Sequence, residues 1–186
     1  HSDSSAASDV YKRQAYIDQR SIDKKVYPKQ IAFNSIPFVD CFLENNYTRE
    51  EMKMVWETHK ILDENISVNP TAVRVPVLVG HAESIYIETE REIDIELAKN
   101  CLNEFAGISV IDDVQEVDFP TSFEHGHGTD DVYVGRIRKG LSKNNSLNLW
   151  VVADNVRKGA ALNSIQIAEN LVGSKMCCLL YTSDAA

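Results

Sequence analysis

Segments patterned as strands and segments patterned as helices come in mixed order along this chain, and that order sets the fold class. YTREEMKMVWETHKILDE, residues 47–64, is the clearest helix. Thr48 followed by Glu51 is a capping-box pair, in which hydroxyl and carboxylate satisfy amides left free at a helix start. Met52, Val55, Trp56, His59 and Leu62 recur at steps of three and four, giving one mostly apolar face. NPTAVRVPVLVG follows, rich in β-branched residues and punctuated by Pro70, Pro76 and Gly80. SIYIETE alternates apolar and polar residues, the mark of a half-buried strand. EIDIELAKNCLNEF, residues 92–105, returns to helical spacing and stops at Gly107. ISVID, VYVGRIR and LNLWVVAD are further strand candidates. DNVRKGAALNSIQIAENLV is a last helix, with Ala161, Leu162, Ile165 and Ala168 on one side. Strands and helices in this order predict an α+β fold, with helices packed against a largely antiparallel sheet. DFPTSFEHGHGTDD, residues 118–131, reads as a loop because of Pro120, Gly126 and Gly128.

Composition narrows the class. With 44% apolar and 25% charged residues, the 186-residue chain has the balance of an ordinary soluble globular protein of one or two domains. A net charge of −9 argues against nonspecific binding to nucleic acid or an anionic membrane, because like charges repel. No apolar run approaches the roughly 20 residues that cross a bilayer, and no secretory signal pattern is visible. Cys41, Cys101, Cys177 and Cys178 form no CxxC pair. That favours free thiols in a reducing cytoplasm over structural disulfides.

Both ends look alien to the rest. SSAASDVYKRQ, residues 4–14, and CLLYTSDAA, residues 178–186, are both encoded by one DNA string, the second by its reverse complement in another frame. That string resembles a transposase-type sequencing adapter. Residues 1–14 and 178–186 are therefore expected to be non-native and are excluded from the fold, and the remainder is expected to be a piece of a longer gene.

Several residues are candidates for chemistry. Glu57 and Lys60 project to neighbouring points on one helix face. On spacing alone they read as a solvated ion pair worth about 0.2–0.5 kcal/mol. RVPVLVGH, residues 74–81, puts Arg74 and His81 at the ends of an apolar octapeptide. A straight strand would hold their Cα atoms about 23 Å apart and on opposite faces. They can serve one small substrate only if the backbone bends, and Pro76 and Gly80 are the residues that would permit it. On these residues alone, a strand with polar ends is the favoured reading. His125 and His127 form an H-x-H that could hold a metal, but no third ligand is evident, so a solvated loop is expected. GxGxxG, GxxxxGK[ST] and GxSxG do not occur. Cys41 and Cys101 have no activating base nearby in sequence and are expected to be buried, inert thiols.

The stretches QIAFNSIPFVDCFLENNYTREEMKMVWETHKIL, AVRVPVLVGHAESIYIE, YVGRIR and LNLWVVADNVRKGAALNSIQIAE, in that order, resemble the C-terminal half of aspartate-β-semialdehyde dehydrogenase over residues 26–172. The resemblance implies a glyceraldehyde-3-phosphate dehydrogenase-like catalytic and dimerisation domain over residues 15–154. It makes residues 155–177 a helix that returns to an N-terminal Rossmann domain. That enzyme reduces β-aspartyl phosphate to aspartate semialdehyde with NADP, releasing phosphate, on the route to lysine, threonine and methionine. By motif, Glu57 of ETHK would hold the substrate's ammonium and Lys60 its phosphate. Arg74 would clamp the carboxylate through a bidentate fork, and His81 would be the general acid/base. Asn155 of ADN would meet the nicotinamide carboxamide. The resemblance implies a homodimer through the sheet, a small-molecule substrate, and no metal, nucleic acid or membrane. The family's nucleophilic cysteine and glycine-rich NADP loop lie upstream and do not occur here, so this polypeptide alone is expected to be inactive. The alternatives are an N-acetyl-γ-glutamyl-phosphate reductase fragment, whose acetylated substrate gives Glu57 no cation to hold, and a stand-alone, non-catalytic dimerisation module.

Overall fold

The computed structural model describes residues 26–182, with side chains as far as Val172. The chain divides into two compact units between Leu78 and Val79.

The first unit carries helix α1, Arg49–Ile61. The capping box forms as its sequence predicts: the Glu51 amide donates to the Thr48 hydroxyl at 3.3 Å and the Thr48 amide to Glu51 Oε2 at 2.7 Å. Acidic Glu50 and Glu51 in the first turn and His59 and Lys60 in the last complement the helix dipole. The chain beyond α1 is then fastened back to it. His59 Nε2 meets the Ile66 carbonyl at 2.8 Å, Tyr47 donates its hydroxyl to Asn69 at 3.2 Å, and the Ala72 amide donates to Glu51 Oε1 at 2.9 Å. Arg74 then pairs with Ile36 in a lone antiparallel bridge, each amide 2.9 Å from the other's carbonyl. Ile31, Ala32 and Ile36 are buried. The apolar face of α1 is covered only in part: Met52 and Val55 are half-buried, whereas Trp56 is 51% and Leu62 72% exposed.

Residues 74–81 do not form a strand. Beyond the bridge at Arg74 the backbone bends at Pro76 and at Leu78–Val79, and Gly80 takes a left-handed φ of 80°. Proline cannot donate to a ladder and glycine carries no Cβ to oppose that φ, so the sequence interrupts itself at the positions where a bend was expected.

The second unit is built on a four-stranded sheet of order β1-β4-β3-β2, with β1 His81–Glu88, β2 Ile108–Val110, β3 Val132–Lys139 and β4 Ser146–Ala153. β4 pairs antiparallel with β1 and β3, and only the short β2 runs parallel to β3. Strand residues of one parity share a face. Ile85 pairs with Leu149, Val134 with Val151, and Val110 with Val134, which puts these apolar side chains on one side. Helix α2, Ile95–Glu104, packs Ile95 and Leu102 against the buried cluster of Val134, Ile137, Leu147 and Leu149. It starts later than its spacing predicts because Asp94 caps it, accepting the Leu97 amide at 2.9 Å. The β1 strand is more exposed than its alternation predicts, and Ile85 is the β1 side chain packed on this cluster.

One irregularity interrupts β3. Gly135 pairs with Trp150 and Arg138 with Asn148, so β3 takes three residue steps where β4 takes two. Arg136, at φ 54°, is the extra residue of a β-bulge. The bulge explains how Val134 and Ile137, an odd step apart, both reach the core.

Residues 118–131 are loop, as predicted, except for the one-turn helix α3, Ser122–His125, capped by Thr121. After β4 the chain forms a π-helical turn, Arg157–Ala161, and then helix α4, Leu162–Thr182. Gly159, Ala160 and Ala161 are exposed, as are Ile165 and Ile167. Among the described residues no helix is long and apolar enough to cross a membrane. Of the stretches expected to be non-native, residues 1–14 and 183–186 lie outside the described residues, and 178–182 continue the backbone of α4. The expectation of buried thiols fails: Cys41 is half-buried and Cys101 exposed, because Cys101 faces away from the sheet that Leu102 packs on.

Candidate active site

Three of the five candidate residues belong to the first unit. Glu57 and Lys60 lie on the second half of α1, both exposed. They do not form the ion pair that their spacing suggested: among the described residues neither side chain has a hydrogen bond or a salt-bridge partner. Their neighbours differ. Glu51 on the same helix is buried and accepts two backbone amides, which together hold its carboxyl below the ordinary value; the Thr48 amide contributes most, Ala72 next, against the opposing effect of burial. Arg74 follows two residues after Ala72. It is half-buried, with its backbone fixed on Ile36 and its guanidinium 5.2 Å from the centre of the Tyr27 ring. A guanidinium over an aromatic ring is attracted by the negative face of the ring. Tyr27 was not among the sequence candidates, and nothing in its local pattern marks it.

The second unit holds His81 and Asn155, and here the structure brings two candidates together across the sheet. His81 opens β1 opposite Ala153, near the end of β4. Two residues beyond Ala153, the Asn155 side-chain oxygen accepts the Gly80 amide at 3.3 Å. Both His81 and Asn155 are exposed, and the His81 ring has no hydrogen-bond partner among the described residues.

Asp154, between Ala153 and Asn155, was missed by sequence reasoning. It is 3% exposed. Its Oδ1 accepts the amides of Val156 and Arg157, each at 2.8 Å, and its Oδ2 accepts that of Gly128 at 2.7 Å. The Arg157 amide above all, then those of Gly128 and Val156 and the nearby His127, keep the Asp154 carboxyl below its ordinary value although burial opposes them. An aspartate two and three residues before free amides is an Asx-type turn signal, so the motif was visible; its buried position was not.

The H-x-H pair takes local structural roles. His125 accepts the Thr121 amide on Nδ1 at 3.2 Å and packs on Tyr133, while His127 is exposed with Nδ1 3.9 Å from Asp154. Among the described residues no group of three or more His, Cys, Asp or Glu is placed to hold a metal.

Among the described residues, Asn155 has a group suited to the carboxamide end of a nicotinamide dinucleotide. Asn155 commits its oxygen to Gly80, which leaves its exposed amide NH₂ able to donate to a carboxamide oxygen. Nothing in the sequence resembles a glycine-rich cradle for phosphates.

Comparison with known proteins extends these observations. Residues 9–158 match the family described as semialdehyde dehydrogenase, dimerisation domain. The aspartate-semialdehyde dehydrogenase of Shewanella violacea is 58% identical over 151 residues, 81% of this chain and 44% of that protein. Its counterpart in Legionella pneumophila is 51% identical over 156 residues, 83% of this chain and 45% of that protein. Among solved structures, Vibrio cholerae aspartate semialdehyde dehydrogenase II complexed with ASA superposes with a TM-score of 0.85 at 47% identity, covering 90% of this chain and 49% of that one. Aspartate semialdehyde dehydrogenase with NADP from Candida albicans superposes with a TM-score of 0.63 at 25% identity, covering 78% and 46%. The chain thus spans under half the length of these relatives. By sequence and by fold, it belongs to the semialdehyde dehydrogenase family and carries that family's dimerisation domain.

Proposed function

We propose that this chain is the catalytic and dimerisation half of an aspartate-β-semialdehyde dehydrogenase, which reduces β-aspartyl phosphate to aspartate semialdehyde and releases phosphate. The supporting observation is a contrast among acidic and basic side chains. Glu51, His59 and Asp154 are tied to the protein's own backbone, whereas Glu57, Lys60 and His81 are exposed and uncommitted among the described residues. A substrate bearing a carboxylate, an ammonium and an acyl phosphate needs a cation, an anion and a second cation. Arg74, Glu57 and Lys60 are that set, with Arg74 binding the carboxylate through two parallel N–H donors. His81 moves protons, taking one from the nucleophilic thiol and returning one as the leaving group departs. That thiol belongs to a part of the enzyme outside this sequence. NADP, when bound, supplies the hydride that takes the place of phosphate at the carbonyl carbon. Asn155 orients its carboxamide, and residues 155–177 return to the domain that binds the rest of it. The sheet of residues 15–154 forms a homodimer interface, residues 1–14 and 178–186 are adapter-derived, and the parent enzyme works in the cytoplasm on the route to lysine, threonine and methionine.

The test uses the full-length gene product. It should reduce β-aspartyl phosphate, and His81→Asn should lower kcat by about 10²–10⁴-fold, the range of a lost general acid/base. Reduction of N-acetyl-γ-glutamyl phosphate alone would refute the assignment. A natural start codon near Tyr16 in the flanking DNA, with no upstream dehydrogenase half, would replace it with the stand-alone module.

A further inference from the structure

The loop after α3 closes a ring of contacts that passes through Asn155 and through Gly80, the neighbour of His81. Starting at Gly80, its amide donates to the Asn155 side chain at 3.3 Å. Asn155 is bonded to Asp154, whose Oδ2 accepts the Gly128 amide at 2.7 Å. Two residues back, Gly126 rests on Gly80 itself. A Cβ on Gly80 would lie 2.7 Å from the Gly126 Cα, and a Cβ on Gly126 would lie 3.0 Å from the Gly80 Cα and 2.6 Å from the Ser122 carbonyl oxygen. Neither position has room for any side chain. The loop is held rigid around these contacts: the Thr129 hydroxyl donates to the His125 carbonyl at 2.8 Å, and Asp130 pairs with Arg157.

We infer that Gly126 and Asp154 are positioning residues, which fix His81 and Asn155 relative to each other through this ring. The inference rests on the roles proposed above for those two residues. Gly80 immediately precedes His81, and Asp154 immediately precedes Asn155, so each end of the clamp is one peptide from a reacting or cofactor-binding side chain. A methyl group at position 126 must push the loop off Gly80, and with it the backbone that aims the imidazole. Loss of the Asp154 carboxylate acts at the other end. An asparagine there keeps an oxygen for the Val156 and Arg157 amides but presents an NH₂ to the Gly128 amide, and two donors cannot bond. A displacement of about 1 Å at a reacting group can cost about 10²-fold in rate. Glu57, Lys60 and Arg74 belong to the first unit, so their hold on substrate is not the quantity that should change.

Steady-state kinetics of the full-length enzyme tests this with Gly126→Ala, Asp154→Asn and His81→Asn side by side. The expected result for the first two is a kcat at least tenfold lower and a raised KM for NADP. The KM for β-aspartyl phosphate should stay within twofold of its starting value. Asp154→Asn preserves shape and serves as the readout if Gly126→Ala does not fold. If folded variants keep kcat and both KM values within twofold, or if kcat and both KM values worsen together only as the melting temperature drops, the positioning role is overturned. If His81→Asn itself retains full kcat, the proposed function of His81 fails instead, and the two failures are told apart.

Discussion

Helices α1 and α2 begin alike and end in opposite circumstances. Each opens on a side-chain cap, Thr48 with Glu51 in one and Asp94 in the other, and each carries apolar residues at helical spacing. α2 lies in a unit with a sheet and packs Ile95 and Leu102 against a buried cluster. α1 lies in a unit in which, among the described residues, the buried apolar side chains are Ile31, Ala32 and Ile36, and its Trp56, Ile61 and Leu62 are all more than half exposed. Local signals that start a helix are therefore independent of the packing that stabilises it. A capped amphipathic pattern fixes which face is apolar; it does not say whether the polypeptide in hand covers that face. Two of the candidate substrate residues, Glu57 and Lys60, sit on α1, which is held by hydrogen bonds more than by burial.

The contrast can be broken by truncation. Leu149→Ala removes a side chain from the sheet cluster and should destabilise the second unit by about 2–5 kcal/mol in urea denaturation. Leu62→Ala removes a side chain of the same size at the end of α1 that is 72% exposed, and on the same chain it should cost about 1 kcal/mol. Equal costs would show that α1 is covered after all. An effect between these two isolates the hydrogen bonds that substitute for burial. Glu51→Gln keeps the shape but offers one acceptor oxygen to two amides, and should cost about 1–3 kcal/mol. Hydrogen exchange should speed up at Thr48 and Ala72 and stay unchanged in β4; protection lost in both units would contradict the division.

The smallest effect is acid sensitivity, which each unit should show separately. Glu51 and Asp154 both have lowered pKa values in the folded chain, relative to 4.5 and 3.8. A carboxyl depressed by folding contributes stability above its unfolded value and loses it as pH falls through the folded one. The first unit should therefore weaken from about pH 4.5 downward and the second from about pH 3.8 downward. Glu51→Gln should flatten only the first transition and Asp154→Asn only the second, as followed by Trp56 and Trp150 fluorescence.

Much of this was legible in the sequence, and the exceptions have physical causes. The capping box and the four strands follow from local chemistry and alternation, both of which are short-range, whereas the Asp94 cap that delays α2 was not read. The bulge in β3 was not read, because VYVGRIR looks like one uninterrupted strand. Pro76 and Gly80 marked the interruption of residues 74–81, although β-branched content favoured a strand. Glu57, Lys60, Arg74, His81 and Asn155 were found through resemblance, since spacing alone gave an ion pair and a strand with polar ends. The buried position of Asp154 and the tight packing of Gly126 could not be seen, because the partners that fix them stand 26 and 46 residues away in the chain. A glycine that tolerates no Cβ looks in sequence like a glycine in any loop.

The bulge at Arg136 has a consequence for chain length. Because Gly135 faces Trp150 and Arg138 faces Asn148, excising Arg136 would seat Ile137 opposite Leu149 and leave every other side chain on the face it already occupies. A deletion in β3 outside the bulge would instead invert the alternation on one side of the gap. Members of the family could thus differ by one residue at this point without re-sorting inside from outside. What they would trade is curvature, since an unbulged ribbon coils less tightly and would carry its two ends in slightly different directions.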